Sequence, residues 1–214
     1  MMGMLEYALK YHQKLLKALL QHMQIVGITL ALSILLAILL TAAVIESRKL
    51  SGIVMHLCSM LYSIPSLALF ALLIPLTGIG TDTAVIVLVI YNQYILVRNF
   101  VEGLQRVDPA VIDAARGMGM TGMQIFRKVR LPLALDCMVA GIRLSIVSTI
   151  GIATIGASIG AGGLGTILFD GMRTMNTAKI LWGIVLSVGL VLASNGLLSL
   201  AEKKIRYLIY REER

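Results

Sequence analysis

The sequence has little charge and little proline, cysteine or tryptophan. Asp, Glu, Lys and Arg make up only 14% of its 214 residues, 58% are hydrophobic, and there are four prolines, two cysteines and one tryptophan. In a typical soluble domain about a quarter of the residues are charged. This shortage of charge excludes an ordinary soluble domain, and the long apolar runs predict an all-α, polytopic membrane protein.

Five apolar stretches can cross a bilayer, which takes about 20 residues of helix each. The first and the last are uncharged, the second contains Pro65, the third is short, and the fourth contains Asp136 and Arg143. Cys58 and Cys137 both lie within these stretches, so no disulfide is predicted. The predicted spans are 25–45, 52–74, 83–97, 133–155 and 180–200.

Basic residues indicate the orientation of these spans, because short cytoplasmic loops collect Lys and Arg. With five spans, thirteen of the nineteen basic residues fall on one side of the membrane. A sixth crossing within the glycine-rich segment 156–179 would place the basic C-terminus opposite the basic central segment. We therefore predict five spans in the cytoplasmic membrane, in contact with lipid, with the N-terminus outside and the C-terminus inside. The net charge of +8 then needs no nucleic-acid partner.

Residues 1–24 are predicted to form an amphipathic segment on the membrane surface. Leu5, Leu9 and Leu16 recur near helical spacing, with Lys10 and Lys14 among the polar residues between them, as in helices that lie in a bilayer interface. This placement explains how lysines can stand outside the membrane beside a first span. The remaining divisions are a permease domain at 25–200 and a basic cytoplasmic tail at 201–214.

The central segment 106–132 is too polar to cross a bilayer and too long for a simple connection. Asp108 followed by Pro109 is typical of a helix start, and Gly117 and Gly119 are expected to end that helix. A second short helix is predicted at 121–129, stopped by Leu131 and Pro132. Met118, Met120, Met123 and Phe126 would give this element an exposed apolar surface. By physical chemistry alone the element either rests on the bilayer or docks in a groove of another protein.

The spacing within this segment resembles the EAA loop of ABC-transporter permeases. The family pattern is Glu-Ala-Ala, three residues, Gly, nine residues, then Ile, any residue, Leu-Pro. Here it is matched by Asp113-Ala114-Ala115, Gly119, Val129 and Leu131-Pro132, with Asp for Glu and Val for Ile. The resemblance implies a coupling helix at 119–130 that sits in a cleft of an ATP-hydrolysing subunit. The residues expected to couple are Asp113, Ala114, Ala115, Gly119, Met120, Thr121, Met123, Gln124, Phe126, Arg127, Leu131 and Pro132.

Four further stretches are similar to permeases of glycine betaine, carnitine and choline uptake systems: YSIPSLALFALLIPLTGIG (62–80), LVRNFVEGLQRVDP (96–109), GMGMTG (117–122) and IGASIGAGGLGTILFDGM (155–172). The resemblance implies the type I ABC importer fold and alternating access. It also implies three kinds of partner: two copies of an ATP-binding subunit, an external solute-binding protein, and a second permease chain, identical or different. Other importer permeases share the glycine-rich block, so an amino acid or another amine stays open as cargo.

No catalysis or cofactor is predicted in this chain. It lacks the Gly-x-x-x-x-Gly-Lys-Ser/Thr loop that binds nucleotide phosphates and has no Gly-Lys pair at all, so ATP and Mg²⁺ are expected on the partner subunit. His12, His22 and His56 are too scattered for a metal site. The spacing Gly-x-Gly-x-x-Gly at 160–165 imitates a dinucleotide fingerprint, but no strand precedes it. Close helix packing or a bend of the backbone is the better interpretation of these glycines.

Polar and aromatic residues within the spans are candidates for the translocation pathway, because aromatic faces attract quaternary ammonium groups. Tyrosines near a membrane interface are also ordinary anchors. Asp136 and Arg143 lie two turns apart on one helix face, where they would share a partner or be bridged by neighbours. In an ion-driven secondary carrier these two would carry the coupling; a channel or scaffold is the other rival. The predicted pathway residues are Tyr62, Ser63, Pro65, Tyr91, Asn92, Tyr94, Arg143, Gly160, Gly162, Gly163 and Gly165.

Overall fold

The computed structural model describes residues 4–211, apart from the side chains of residues 205 and 208–211. Helices make up nearly all of this part, and it contains no strand, which confirms the predicted all-α class. A π-helical turn, Phe126–Arg130, joins α6 to α7, and a 3₁₀ turn, Ala157–Ile159, follows α7. The helices are α1 Met4–Val44, α2 Arg48–Tyr62, α3 Ser66–Thr77, α4 Thr81–Gln105, α5 Pro109–Gly117, α6 Gly122–Ile125, α7 Leu131–Gly156, α8 Gly165–Arg173 and α9 Thr177–Arg211.

Four helical runs are long and apolar enough to cross a membrane, and a bent pair of helices makes a fifth candidate. The four are α1, α4, α9 and the continuous run Gly122–Ile159. The pair is α2 with α3, which bend by 94° where the sequence predicts the single span 52–74. Pro65 lies at this break because it cannot donate a helical hydrogen bond, and it begins α3. The span predicted at 83–97 is too short: α4 has 25 residues, about 37 Å of helix.

Helix α4 forms the centre of the bundle, packed between α1 and α7 and against α2 and α3. Glycines on both sides let α4 and α7 approach closely. A Cβ at Gly103 of α4 would lie 2.8 Å from Cys137 Cβ, and one at Gly141 of α7 would lie 2.6 Å from Asn99 Cβ. Small residues of this kind allow close packing of helices within membranes.

Helix α1 is continuous across the boundary predicted at residue 24. Its 41 residues contain a kink at Tyr11 (φ −121°, ψ 23°), and the helix then runs without a break through residue 24, where the sequence has no proline. Tyr7, Leu15 and Ala18 pack against apolar residues of α8 and α9, while Leu5 and Leu9 stay exposed. The predicted surface segment and the first predicted span are therefore parts of one helix. Residues 1–3 of that segment and 212–214 of the predicted tail lie outside the described residues.

Segment 156–179 contains only short elements. After the 3₁₀ turn come the glycine loop, which we define as residues 160–164, and α8, which has nine residues. A helix of that length spans about 14 Å, well short of the roughly 30 Å of a bilayer core. This segment is no sixth crossing.

Candidate coupling and translocation sites

The coupling segment, residues 106–132, turns sharply at Gly119. Gly119 has a φ of +81°, a conformation that side chains other than glycine rarely adopt. Its N–H donates to Arg116 O at 2.9 Å, and Met120 N donates to Ala115 O at 3.2 Å. These two bonds form a Schellman motif, the standard helix ending with glycine. Gly117, which we also predicted to end α5, is its last helical residue, and the turn itself is made by Gly119.

The second half of the segment begins at Thr121 with a reciprocal capping box. Thr121 N donates to Gln124 Oε1 at 2.7 Å, and Gln124 N donates to Thr121 Oγ1 at 3.4 Å, which satisfies two free donors at the helix start. The prediction that Leu131 and Pro132 stop this helix is wrong. The chain forms a π turn, in which Leu131 N donates to Phe126 O five residues earlier. The turn contains one residue more than an α-helical turn, and this allows Pro132 to lie at the start of α7 without ending the helical run.

The apolar surface predicted for the coupling segment is only partly exposed. Met118 and Met123 are open to solvent at 76% and 66% exposure, whereas Met120 and Phe126 are half-buried. Ile125 is buried, so the face of α6 that carries it packs against the rest of the protein. The segment therefore presents a narrower apolar ridge than the sequence suggests.

The Asp-Ala-Ala stretch packs on one side only. Ala115 is buried, while Ala114 and Asp113 are exposed, and Asp113 forms an ion pair with Arg116 at 3.5 Å.

Asp113 borders a pocket of about 280 Å³ between α5 and the turn that joins α1 to α2. Across this pocket Arg130 pairs with Glu46 at 4.0 Å. The remaining coupling residues are placed as follows: Arg127 is exposed, Leu131 is exposed and Pro132 is half-buried.

Three of the predicted pathway residues form a tyrosine cluster beside the break between α2 and α3. The ring of Tyr62 meets Tyr91 edge-on at a centroid distance of 5.5 Å and lies tilted on Tyr94 at 5.0 Å. Tyr91 O–H donates to the carbonyl of Ile64, which ties the break to α4. Ser63 and Pro65 are exposed at the same place.

Asn92, a fourth predicted pathway residue, is buried within the helix bundle at 2% exposure. Its amide donates to Ser33 Oγ at 3.2 Å and to Thr149 Oγ1 at 2.8 Å, and its carbonyl accepts from Ser145 Oγ at 2.7 Å. These bonds join α1, α4 and α7. In this conformation Asn92 fastens helices together, and its role in the pathway stays a prediction.

The glycine loop lies at the distal end of the bundle, which we define as the end opposite the coupling segment. Gly160, Gly162 and Gly163 all have φ values between +77° and +84°, and the loop contacts the turn between α3 and α4 through Thr81 Oγ1 and Ala161 O at 3.5 Å. A Cβ at Gly165 would lie 1.9 Å from Thr154 O. Close packing therefore explains these glycines in structural terms.

His22 is the residue that fixes the glycine loop, and the sequence analysis missed it. It is fully buried; its Nδ1 accepts from Leu164 N at 3.3 Å, and its Nε2 donates to Ile150 O at 3.2 Å. A Cβ at Gly163 would lie 2.8 Å from that Nδ1. The available signal was a histidine inside a long apolar helix, which must find hydrogen-bond partners when buried.

Asp170 is a second residue that the sequence analysis missed. Its carboxylate pairs with Lys179 at 2.9 Å, Lys14 at 3.2 Å and Arg173 at 3.2 Å, and so links α1, α8 and α9. The hydrogen bond from Lys179 contributes most to lowering the pKa of Asp170 to about 2. The ion pair with Asp170 gives Lys14 a partner within the protein. It lies on the side of the membrane where the predicted topology places fewer basic residues.

Asp136 and Arg143 are bridged through helix α9, one of the two arrangements expected. Arg143 Nη2 donates to Glu202 Oε2 at 3.3 Å, and Arg206 bonds both Glu202 and Asp136. Arg143 also donates to Ser199 Oγ at 3.3 Å. In this conformation the charges of α7 are used to hold α9, and the pathway role of Arg143 stays a prediction.

The architecture and the motifs agree with known proteins. A family model described as the inner membrane component of binding-protein-dependent transport systems matches residues 21–207. The chain belongs to this family. Membership decides against the ion-driven carrier and the channel, and the chain is a permease subunit of an ABC importer.

Relatives in this family have named transport roles. The carnitine transport permease protein OpuCD of Listeria monocytogenes is 36% identical over 79% of this chain and 77% of its own length. The glycine betaine/carnitine/choline permease OpuCB of Bacillus subtilis is 34% identical over 86% of this chain and 85% of its own. An ergothioneine transport permease/binding protein of Helicobacter pylori is 39% identical over 69% of this chain but 27% of its own length.

The fold matches a solved importer. Inward-facing structures of the MetNI methionine ABC transporter superpose with TM-scores of 0.77 and 0.76 at 25% and 24% identity. The matches cover 91% and 94% of this chain and 95% and 98% of the solved chains. The fold is therefore that of type I ABC importer permeases, as predicted.

Proposed function

We propose that this permease imports a quaternary-ammonium osmolyte, namely glycine betaine, carnitine or choline, across the cytoplasmic membrane. The observation that carries the proposal is the coupling segment, which fits the EAA pattern and presents Met118 and Met123 to solvent. The choice of cargo is supported by the relatives, because carnitine, glycine betaine, choline and ergothioneine all carry a trimethylammonium group.

In the working transporter two permease chains, alike or different, would pair with two ATP-binding subunits and receive cargo from an external solute-binding protein. ATP and Mg²⁺ would be held by the ATP-binding subunits. Closure of these subunits would pull on the coupling segment. Because residues from Gly122 to Ile159 form one helical run, a pull at Thr121 would move α7 as a rod and alter the distal end. Alternating access would follow from this lever.

The orientation proposed for the chain places the coupling segment in the cytoplasm and the N-terminus outside. The distribution of basic residues supports it, because thirteen of the nineteen then lie on the cytoplasmic side. The pathway is proposed to pass the tyrosine cluster and the glycine loop.

The proposal is tested by purifying the tagged chain gently in detergent and identifying the proteins that accompany it by mass spectrometry. The complex is then reconstituted in vesicles and supplied with radiolabelled glycine betaine, carnitine, choline or methionine. We expect a P-loop ATPase and a solute-binding protein to co-purify, and uptake of a trimethylammonium solute to require ATP. A chain that stays alone after mild crosslinking, or uptake without ATP, would contradict the proposed partners and energy source. Uptake of methionine alone would contradict the proposed cargo.

A further inference from the structure

The tyrosine cluster continues along α4 into a charged pair. Arg98 lies one turn beyond Tyr94; its Cζ is 5.8 Å from the centre of the Tyr94 ring, and its Nη1 donates to Tyr94 O–H at 2.8 Å. On its other side Arg98 Nε donates to Glu102 Oε1 at 2.8 Å. Aromatic rings and a guanidinium group therefore stand in one row, from the break between α2 and α3 toward the coupling end.

This row is open to a ligand at two points. Tyr62 is 37% exposed: its ring touches Tyr91 and Tyr94 and leaves part of its surface uncovered. The side chain of Arg98 is 52% exposed and that of Glu102 is 37% exposed. An exposed pair of this kind contributes at most about 1 kcal/mol to stability, so another carboxylate can replace Glu102 at little cost.

The two open points suit opposite charges. The face of a tyrosine attracts a quaternary ammonium group, whose methyl groups prevent hydrogen bonding and leave the ring quadrupole as the natural partner. A guanidinium group binds a carboxylate through paired hydrogen bonds. We infer that Tyr62, Tyr94 and Arg98 form a site in the permease itself for a zwitterion with a trimethylammonium group at one end and a carboxylate at the other.

This inference rests on the proposed function and narrows its cargo. Glycine betaine and carnitine have both groups, whereas choline has the trimethylammonium group and a hydroxyl in place of the carboxylate. The site therefore favours the carboxylate-bearing solutes, and Arg98 is the residue that discriminates between the two kinds.

The test measures binding to the permease separately from uptake. The assembled permease and ATP-binding subunits are placed in lipid nanodiscs without nucleotide and without the solute-binding protein, and the binding of radiolabelled glycine betaine, carnitine and choline is titrated. Tyr62→Leu is expected to weaken binding of all three about three- to thirtyfold. Arg98→Gln is expected to weaken glycine betaine and carnitine about tenfold or more and to leave choline within about twofold. Tyr62→Phe keeps the ring and is expected to bind like the wild type.

Two matched variants control for general effects. Tyr11 is 38% exposed, also touches a second tyrosine and lies beside Lys10, so Tyr11→Leu removes a similar ring elsewhere. Arg106 also pairs with Glu102, at 3.8 Å, so Arg106→Gln removes a neighbouring cation from the same acid. Both are expected to bind all three solutes like the wild type.

The outcomes separate the inference from the proposed function. If the wild-type complex binds no glycine betaine in nanodiscs but imports it with the solute-binding protein present, the inference is wrong and the proposed function stands. Equal losses for choline and glycine betaine in Arg98→Gln, or a loss in Arg106→Gln as large as that in Arg98→Gln, would also overturn it. If the complete transporter imports none of the three solutes, the proposed function itself fails.

Discussion

The two ends of the helical bundle are built in different ways. At the coupling end, hydrogen bonds between close neighbours shape the chain: the Gly119 turn is closed from Ala115 and Arg116, and Thr121 is capped by Gln124. At the distal end, the glycine loop is held by His22, which is 142 residues away from Leu164 in sequence. The coupling segment is held by contacts within itself, so it can move as a lever without disturbing the core. The glycine loop is bonded to a distant helix and has to move together with it.

The largest expected effect is at the distal end, at Gly165. In Gly165→Ala the new Cβ would lie 1.9 Å from Thr154 O, so α8 must move away from α7, at a cost of about 3 kcal/mol or more. We expect little folded protein in the membrane, measured by fluorescence-detected size-exclusion chromatography. Gly151→Ala on α7 is the control, since its Cβ meets no atom within 4 Å. Equal folded yields for the two variants would contradict the close contact.

His22→Leu is expected to lower the free energy of unfolding by about 2 kcal/mol, because Leu164 N–H would lose its buried acceptor. Thermal unfolding of the purified complex checks this. His22→Gln can still supply both an acceptor and a donor and is expected to recover at least half of the loss. If the His22→Leu and His22→Gln variants are equally stable, the histidine only fills space and does not hold the glycine loop.

At the coupling end, Gly119→Val is expected to spare the fold and abolish coupling. A β-branched residue at φ +81° is strained by about 1–3 kcal/mol, which the short segment would relieve by abandoning its turn. Uptake is expected to fall about tenfold or more, with an unchanged amount of protein in the membrane. Gly117→Ala is the matched control, because Gly117 is helical and has open space at its Cβ position. Normal uptake in Gly119→Val would refute the lever.

The smallest expected effect concerns Asp170. Its pKa is lowered from 3.8 to about 2 in the folded protein, so the carboxylate stabilises the fold above about pH 4 and loses this effect as the pH falls toward 2. Asp170→Asn is expected to cost about 1 kcal/mol at neutral pH. The Tm difference between wild type and variant should shrink between pH 4 and pH 2. A difference that is constant over this range would show that the ion pairs contribute nothing.

The same contrast between local and distant contacts explains what the sequence could predict. The turn at Gly119, the helix start at Asp108 and the presence of long apolar helices follow from local rules, and they were predictable. The bend between α2 and α3 was indicated by Pro65, but its angle depends on Tyr91, which bonds Ile64 from another helix. Pro132 was misjudged because a π turn absorbs it, and no local rule distinguishes that outcome from a helix end.

The candidate sites follow the same division. The residues of the coupling segment were chosen from their resemblance to the EAA pattern, and their contact with an ATP-binding subunit stays a prediction. Asn92 was chosen as a polar residue within a span, but its three partners on α1 and α7 occupy it, and sequence carries no record of such pairing. His22 and Asp170 were missed for the same reason: each is defined by groups that fold back from more than one helix.

The most direct test of the account is site-specific crosslinking of the two ends in the complete transporter. In a chain carrying Cys58→Ala and Cys137→Ala, single cysteines are introduced as Met123→Cys at the coupling end and Met172→Cys at the distal end, two positions of similar exposure at 66% and 58%. The account predicts that Met123→Cys crosslinks to the ATP-binding subunit and that Met172→Cys does not. Crosslinking of that subunit to Met172→Cys, or to neither position, would contradict the assignment of the coupling segment.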